Sequence, residues 1–322
     1  MYYIVRLQSI ICNTDKGEIK MKILGLDNGY NYTKTSKNIC ILSTVEKGHD
    51  DYNNVLEMNF NGENYIIGEP TGQYIVDANK FKTEEGKELL RITTLAAIGL
   101  SYPEESVIDV SIVAGLPVAF YADQKEELTK LIKDLDDSCI EINKLGKKQI
   151  IKIDKVMVLP QACGIIIEKN KKNESSLVID IGGGTWDIAQ FTGLKLVEKA
   201  TYEKGMLVLY SAIAQELNAK YYTKFETSDI QNIIDRKYFT VDGVKKGIED
   251  IEEYIDNYVR KIAATIKRDF DTTNIDNFYL IGGGAISLES YVKKYFPSIE
   301  VEKECQFTNV NSFKFMGELK LK

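Results

Sequence analysis

The chain has 322 residues, 44% of them apolar, which is enough for two domains that each bury a core. Its 48 acidic residues outnumber 41 basic ones, giving a net charge of −7 and a pI near 5.1, so no general basic surface exists to neutralise the phosphates of a duplex, and direct DNA binding is disfavoured. The lone histidine, His49, sits in a polar run read as a solvated loop, which argues against chemistry built on a histidine cluster.

Five scattered cysteines, Cys12, Cys40, Cys139, Cys163 and Cys305, form no CxxC pair. They fit reduced thiols in a cytoplasm and predict neither disulfide nor zinc site. No run approaches the ~20 apolar residues of a membrane span, so no membrane partner is expected. At the start of the chain, Lys16–Met21 back-translates to a purine-rich stretch followed by an ATG codon, the form of a bacterial ribosome-binding site. This predicts that translation starts at Met21 and that residues 1–20 are a non-native extension.

From Met21 onward strands alternate with helices, the pattern of an α/β protein. Strands are expected at Ile23–Leu26, Val107–Ala114, Val156–Leu159, Leu177–Ile181 and Phe278–Ile281, with a polar insertion over residues 36–86. A helix over Asp123–Leu135 reads as opened by Asp123, with Glu126 as its capping-box partner. Gln161–Glu168 reads as helical, and the polar stretch 169–176 after it as a domain boundary. A longer helix runs from about Gly247 to Phe270 with Ile248, Ile251, Ile255, Tyr258, Val259, Ile262 and Ile266 on its apolar stripe, and a last one covers Leu288–Tyr295.

The residues suited to chemistry cluster at strand ends. Ile23–Leu26 runs into Asp27-Asn28-Gly29, and Asn-Gly predicts a tight hairpin with positive φ. The amides of such a turn can surround phosphate oxygens, Asp27 can hold Mg²⁺ through water, and Lys34 on the returning strand can reach the phosphates. The same strand, aspartate and glycine turn recurs in Leu177-Val178-Ile179-Asp180-Ile181-Gly182-Gly183-Gly184-Thr185-Trp186-Asp187. The segment Trp186–Phe191, with Thr192-Gly193 after it, alternates and turns as a strand, so the glycines form a hairpin loop and do not open a Rossmann helix; no G-x-x-x-x-G-K-[ST] run occurs. Gly282-Gly283-Gly284 after Phe278–Ile281 allows a base or ribose to lie close to the backbone, and Gln161 ends an apolar strand at a helix start.

Taken together, Asp27-Asn28-Gly29 with Lys34, Gln161-Ala162, Asp180–Thr185 and Ile281–Ala285 resemble the five-part nucleotide signature of the actin, Hsp70 and sugar kinase superfamily. Gly115-Leu116-Pro117, Ile233–Lys237 and Asn309–Phe313 with Gly317 resemble the bacterial plasmid-segregation actins of the ParM family. The resemblance implies an actin-like two-domain α/β fold, each half a ribonuclease H-like sheet with flanking helices and the nucleotide in the cleft between. It implies a first domain over residues 21–172, with an inserted subdomain at about 36–105 and residues 300–322 returning to it. A second domain then covers residues 173–299, with a small subdomain at about 220–247.

Carried over residue by residue, the resemblance implies that Asp27 and Asp180 orient the waters of Mg²⁺. Asn28, Gly29, Lys34, Gly182, Gly183, Gly184 and Thr185 bind the phosphates of ATP or GTP. Gly205 lies near the ribose, Gly282, Gly283, Gly284 and Ala285 near the base, and Arg236 and Lys237 are neighbours of the nucleotide. Gln161 positions the attacking water, and hydrolysis by Gln161 and Asp180 needs no covalent nucleophile. The implied function is a polymerising ATPase whose filaments move plasmid DNA, its partners being its own copies and a separate DNA-binding adaptor. The alternative is a small-molecule kinase of the same superfamily.

Overall fold

The structure, a computed structural model, describes residues 21–69, 73–74 and 80–321. The expected extension over residues 1–20 and parts of the polar 36–86 stretch lie outside the described residues. The first half comprises β1 (Ile23–Asn28), β2 (Tyr32–Thr35), β3 (Cys40–Leu42), β4 (Thr44–Lys47), β5 (Leu56–Phe60), β6 (Glu63–Ile67), β7 (Gln73–Tyr74), α1 (Glu84–Ser101), β8 (Val107–Leu116), α2 (Tyr121–Lys133), β9 (Ser138–Ile142), β10 (Lys147–Pro160) and α3 (Gly164–Glu168). The second comprises β11 (Ser175–Ile181), β12 (Trp186–Thr192), β13 (Lys195–Tyr202), α4 (Met206–Tyr221), α5 (Thr227–Arg236), β14 (Phe239–Val241), β15 (Val244–Lys246), α6 (Glu249–Asp269), β16 (Asn277–Ile281), α7 (Ala285–Val292) and β17 (Glu300–Val301); α8 (Thr308–Lys320) closes the chain.

The strands of the first half form one sheet in the order β3-β2-β1-β8-β10-β9-β5-β6-β4-β7, and β11, β12, β13, β16 and β17 a second in the order β13-β12-β11-β16-β17. In each, a central strand with an aspartate next to its last residue and a glycine just beyond its end pairs in parallel on one side, β1 with β8 and β11 with β16, and folds back antiparallel on the other, β1 with β2 and β11 with β12. Period-two alternation then decides which helices cover which face. Leu24, Leu26, Ile112 and Ala114 join the core formed with Leu89, Leu95 and Ile98 of α1 and Leu128 and Ile132 of α2. The alternate residues Ile23 and Val113 pack on Phe313 of α8. In the second sheet Leu177, Ile179 and Ile181 face α4 and α6, while Val178 and Tyr279 face Ile165 and Ile166 of α3.

The C-terminal helix therefore belongs in space with the first sheet. It approaches β1 so closely that a Cβ at Gly25 would fall 1.9 Å from the Val310 carbonyl oxygen, a spacing only glycine permits. α6 buries Ile251, Ile255, Val259, Ile262 and Ile266, one per turn along the stripe its sequence spaces out, and leaves Tyr258 half-buried at its edge.

Some local expectations are corrected. α2 begins at Tyr121, because the chain is already in the helical region at Phe120, and no side chain caps it; Asp123 falls in its first turn, where a carboxylate meets the positive end of the helix dipole. The capping box with Glu126 therefore does not form. β10 is far longer than Val156–Leu159, its first part alternating buried Gln149, Ile151 and Ile153 with exposed Lys148, Ile150 and Lys152. Helix α3 occupies only Gly164–Glu168, and α7 starts at Ala285. No described helix is long and apolar enough to cross a membrane.

Candidate functional site

The parallel strands β1, β8 and β10 all end on one side of their sheet, and β11 and β16 do so on theirs, so the residues beyond these ends face each other across a cleft of about 430 Å³. That volume lies within the range of small-molecule and cofactor sites. Asp27, Asn28, Gly29, Lys34, Gln161, Asp180, Gly182, Gly183, Thr185, Gly282, Gly283 and Gly284 all line it.

Asp27 and Lys34 are register partners on β1 and β2, both nearly buried. The turn between them is not the expected Asn-Gly type. Asn28 stays in the strand opposite Thr33, the loop spans residues 29–31, and neither Asn28 nor Gly29 has positive φ. Glycine is needed at position 29 for space instead, since a Cβ there would lie 2.6 Å from the Tyr32 carbonyl oxygen. Gln161 comes directly after β10, its backbone held by a bond from its amide to the Leu116 carbonyl (2.8 Å), and its Nε2 donates to Asp27 Oδ1 at 2.8 Å. The next residue, Ala162, is left-handed (φ 63°), a conformation that costs a non-glycine residue about 1 kcal/mol or more and persists only where its surroundings fix it. Asn309 of α8 supplies that fixing, because its Oδ1 accepts from the Ala162 amide at 3.2 Å.

The same asparagine reaches the second half. Its Nδ2 donates to Asp180 Oδ2 at 2.7 Å, so one side chain braces both the Gln161 turn and the second aspartate. Across the β11–β12 hairpin Asp180 is paired with Asp187. Burial, reinforced by the neighbouring Asp187 charge, pushes the Asp180 carboxyl up to about 7, and burial lifts Asp187 to about 6 against the pull of its hydrogen bonds. Asp187 accepts from the hydroxyls of Thr185 (2.8 Å) and Thr201 (2.6 Å) and from the amide of Val118 (3.0 Å), which belongs to the loop after β8 in the other half.

The two glycine-bearing loops touch. A Cβ on Gly183 would lie 2.6 Å from Asn31 Cβ, and one on Gly184 would lie 2.6 Å from the Tyr30 ring. Gly282, with φ 91°, passes so near Asp180 that a Cβ would meet Oδ1 at 2.2 Å, so both its conformation and its space demand glycine. At the far end the cleft is walled by Met206, Tyr210, Gln231, Asp235, Ser287 and the largely exposed Ile286. Tyr210 is itself fixed by donating to Gln231 Oε1 at 2.6 Å.

Other predicted residues sit elsewhere. Gly205 lies behind the second loop as the N-cap of α4; its amide donates to Gly184 O (2.9 Å), and those of Met206 and Leu207 donate to Gly182 O (3.0 Å) and Gly183 O (2.8 Å). Gly184 lines a more apolar groove of about 750 Å³ that adjoins the cleft along Tyr30, Thr185 and Tyr210. Ala285 is fully buried as the first residue of α7. Arg236 and Lys237 occupy the exposed end of α5 outside the cleft lining, Arg236 over the Tyr238 ring and Lys237 3.7 Å from Glu252.

Sequence reasoning missed three cleft residues. Asp187 was legible as a period-two partner of the loop, and Asn309 lay within the Asn309–Phe313 motif without a role of its own. Lys80 carried no signal: it precedes α1, lies against the Asn28 carbonyl oxygen, and stacks 4.1 Å from the Tyr30 ring centroid. His49 lies on the surface as expected, but it is paired with Glu57 (2.6 Å) and Asp51 (3.1 Å), chiefly the Glu57 hydrogen bond raising its pKa.

Known proteins divide along the same two halves. A family model for the N-terminal domain of actin-like proteins matches residues 25–164, and one for the C-terminal domain of the archaeal actin homologue MreB-like matches residues 178–294. No curated protein sequence matches the chain. Among solved structures, a 15-stranded ParM filament from Clostridium botulinum is 18% identical, with a TM-score of 0.78 over 93% of this chain and 99% of that one. A non-polymerisable quadruple mutant of pCBH ParM is 21% identical, with a TM-score of 0.77 over 92% and 99%. The archaeal actin homologue Ta0583 in complex with ADP is 16% identical, with a TM-score of 0.75 over 93% and 100%. With one half matched by an actin-like N-terminal domain, the other by an MreB-like C-terminal domain, and the whole by two-domain actin folds, the chain belongs to the actin-like proteins.

Proposed function

We propose that this protein is a Mg-nucleotide-dependent ATPase that assembles into filaments, with hydrolysis timing their disassembly, and that the filaments segregate plasmid DNA through a separate DNA-binding adaptor. The observation that carries the reading is the meeting of the two hairpins across the cleft, with Gln161 bonded to Asp27 at 2.8 Å beside them. Backbone amides of the Gly29 and Gly182–Thr185 loops, with Lys34, suit polyphosphate oxygens. The far end, with Tyr210 and Ile286, suits a base.

Among the described residues no group of three or more His, Cys, Asp or Glu side chains is placed to hold a metal alone. The donor set fits a Mg²⁺ held by phosphate oxygens and water, with Asp27 and Asp180 accepting hydrogen bonds from those waters. Bound with the triphosphate, Mg²⁺ neutralises charge on the phosphoryl oxygens. Gln161, held through Nε2, keeps Oε1 to accept from a water and orient it. Because the nucleotide bridges both halves, loss of its terminal phosphate changes the free energy of closure, which a filament contact spanning the halves can sense. The similarity to a ParM filament and to an ADP complex supports assembly and nucleotide binding. The acidic pI favours attachment to DNA through an adaptor.

The test is light scattering after addition of Mg-ATP, with phosphate release measured in the same sample and negative-stain images at the plateau. Filaments that form with ATP and decay as phosphate accumulates are expected, with phosphate release slowed at least about tenfold in Gln161→Ala. Hydrolysis without scattering at any protein concentration supports the kinase reading instead. No response to nucleotide overturns both.

A further inference from the structure

We propose that Lys80 is the residue by which the cleft distinguishes a nucleoside triphosphate from a diphosphate, its ammonium binding the terminal phosphate and passing that state to helix α1. The inference rests on the nucleotide reading above and adds to it a specificity-determining residue.

Lysine is among the side chains least often buried without a counter-charge, yet Lys80 is 8% exposed. Its ammonium lies on the carbonyl oxygen of Asn28, the last residue of β1, and against the face of Tyr30 in the first loop. An ammonium has three N–H donors, and among the described residues one carbonyl accepts from it, which leaves capacity for an anionic oxygen in the cleft that Lys80 lines. Desolvation pulls its pKa down to about 8, with the charges of Asp27 and Asp187 opposing the fall, so a bound anion stabilises its protonated form.

Position assigns the phosphate. The two cleft lysines lie on different sides of the first hairpin. Lys34 Nζ is 3.7 Å from the place a Cβ on Gly283 would take, on the side of the third glycine cluster. Lys80 sits by Asn28 and Tyr30, where the first loop meets Gly184. A nucleotide with its base beside Tyr210 and Ile286 and its phosphates running to the hairpins meets Lys34 with its inner phosphates. Its last phosphate reaches Lys80. Loss of that group on hydrolysis removes the anion that Lys80 holds and leaves the contact of Lys34 in place.

Two contacts tie Lys80 to α1. The helix's first turn lies so close to the Lys80 carbonyl that a Cβ on Gly86 would be 2.5 Å from its oxygen. One residue before the first loop, Asn28 Nδ2 donates to Thr94 Oγ1 of the same helix at 3.1 Å. A shift of Lys80 toward or away from a terminal phosphate is therefore felt at the N-terminus of α1, whose Glu84 and Glu85 lie exposed to solvent.

The experiment is calorimetric titration of the full chain with Mg-AMPPNP, a non-hydrolysable triphosphate, and with Mg-ADP, for wild type, Lys80→Met and Lys80→Arg. Methionine keeps the length of the side chain and removes a costly buried charge, so this variant is expected to fold. The prediction is that Lys80→Met weakens triphosphate binding by about tenfold or more while Mg-ADP affinity stays within about twofold. Lys80→Arg should keep most of the preference. Equal losses for both nucleotides in Lys80→Met, or no loss for either, would overturn the assignment of Lys80 and leave the nucleotide reading standing. Wild type that binds neither nucleotide would overturn the nucleotide reading and this inference with it.

Discussion

The two hairpins share a frame and differ in charge. In each, a buried strand that pairs in parallel on one side carries an aspartate next to its last residue, turns through glycine and returns antiparallel. Across from Asp27 the returning strand places Lys34; across from Asp180 it places Asp187. The first pair is complementary. The second sets two carboxylates together in a desolvated site, and both respond by titrating well above the ordinary carboxylate range. Duplicated backbone geometry thus carries opposite electrostatics: the first hairpin holds a balanced pair of charges, and the second sets two acidic groups side by side.

That surplus is tolerated because Asp187 is also a structural joint. Its three acceptor bonds tie the β12–β13 edge to the loop after β8, where the Ala119 amide also donates to Thr201 Oγ1 at 3.1 Å. Removing the joint should give the largest effect. Asp187→Ala leaves a buried amide and two hydroxyls without their acceptor, and we expect a loss of about 3 kcal/mol, read as a lower urea midpoint with little change in slope. A loss below about 1 kcal/mol would mean that relief of the buried charge offsets the broken bonds, and that the joint matters less than the geometry suggests.

A smaller effect sharpens the electrostatic side of the comparison. Asp180 and Asp187 have folded-state pKa values near 7 and 6, above the ordinary carboxylate value, so the native state binds more protons than the unfolded state between about pH 4 and 7. The stability they contribute is present below about pH 4 and is lost as pH rises through 6 and 7. Other groups titrate in the same window, so the diagnostic quantity is the difference between wild type and Asp187→Asn. The wild-type protein without nucleotide should lose more stability from about pH 5 to about pH 7.5 than the variant, in urea denaturation at each pH. Equal slopes would show that Asp187 is ionised throughout.

Much of this arrangement was legible in the sequence, and the failures have physical causes. Strand-ending aspartates and glycine turns are local, so Asp27, Asp180 and the three glycine clusters could be read directly, as could the alternation after Thr185 that chose a hairpin over a Rossmann helix. The turn at Asn28-Gly29 was misread because a two-residue propensity does not weigh the longer loop that contact with the facing hairpin imposes. Asn309 and Lys80 escaped because their roles depend on contacts distant in sequence, Asn309 with Asp180 and Lys80 with the end of β1. The basic pair Arg236 and Lys237 looked attractive by charge, yet α5 turns its Gln231 and Asp235 to the cleft instead.

The central claim is that one Mg-nucleotide is shared by both hairpins, and a structure of the protein solved with Mg-AMPPNP tests it most directly. Phosphates are expected between the Gly29 and Gly183 loops, the metal's waters on Asp27 and Asp180, and the base beside Tyr210 and Ile286. Nucleotide bound to one half alone, or seated in the wider groove beside Leu207 and Ser211 with the hairpins untouched, would contradict it.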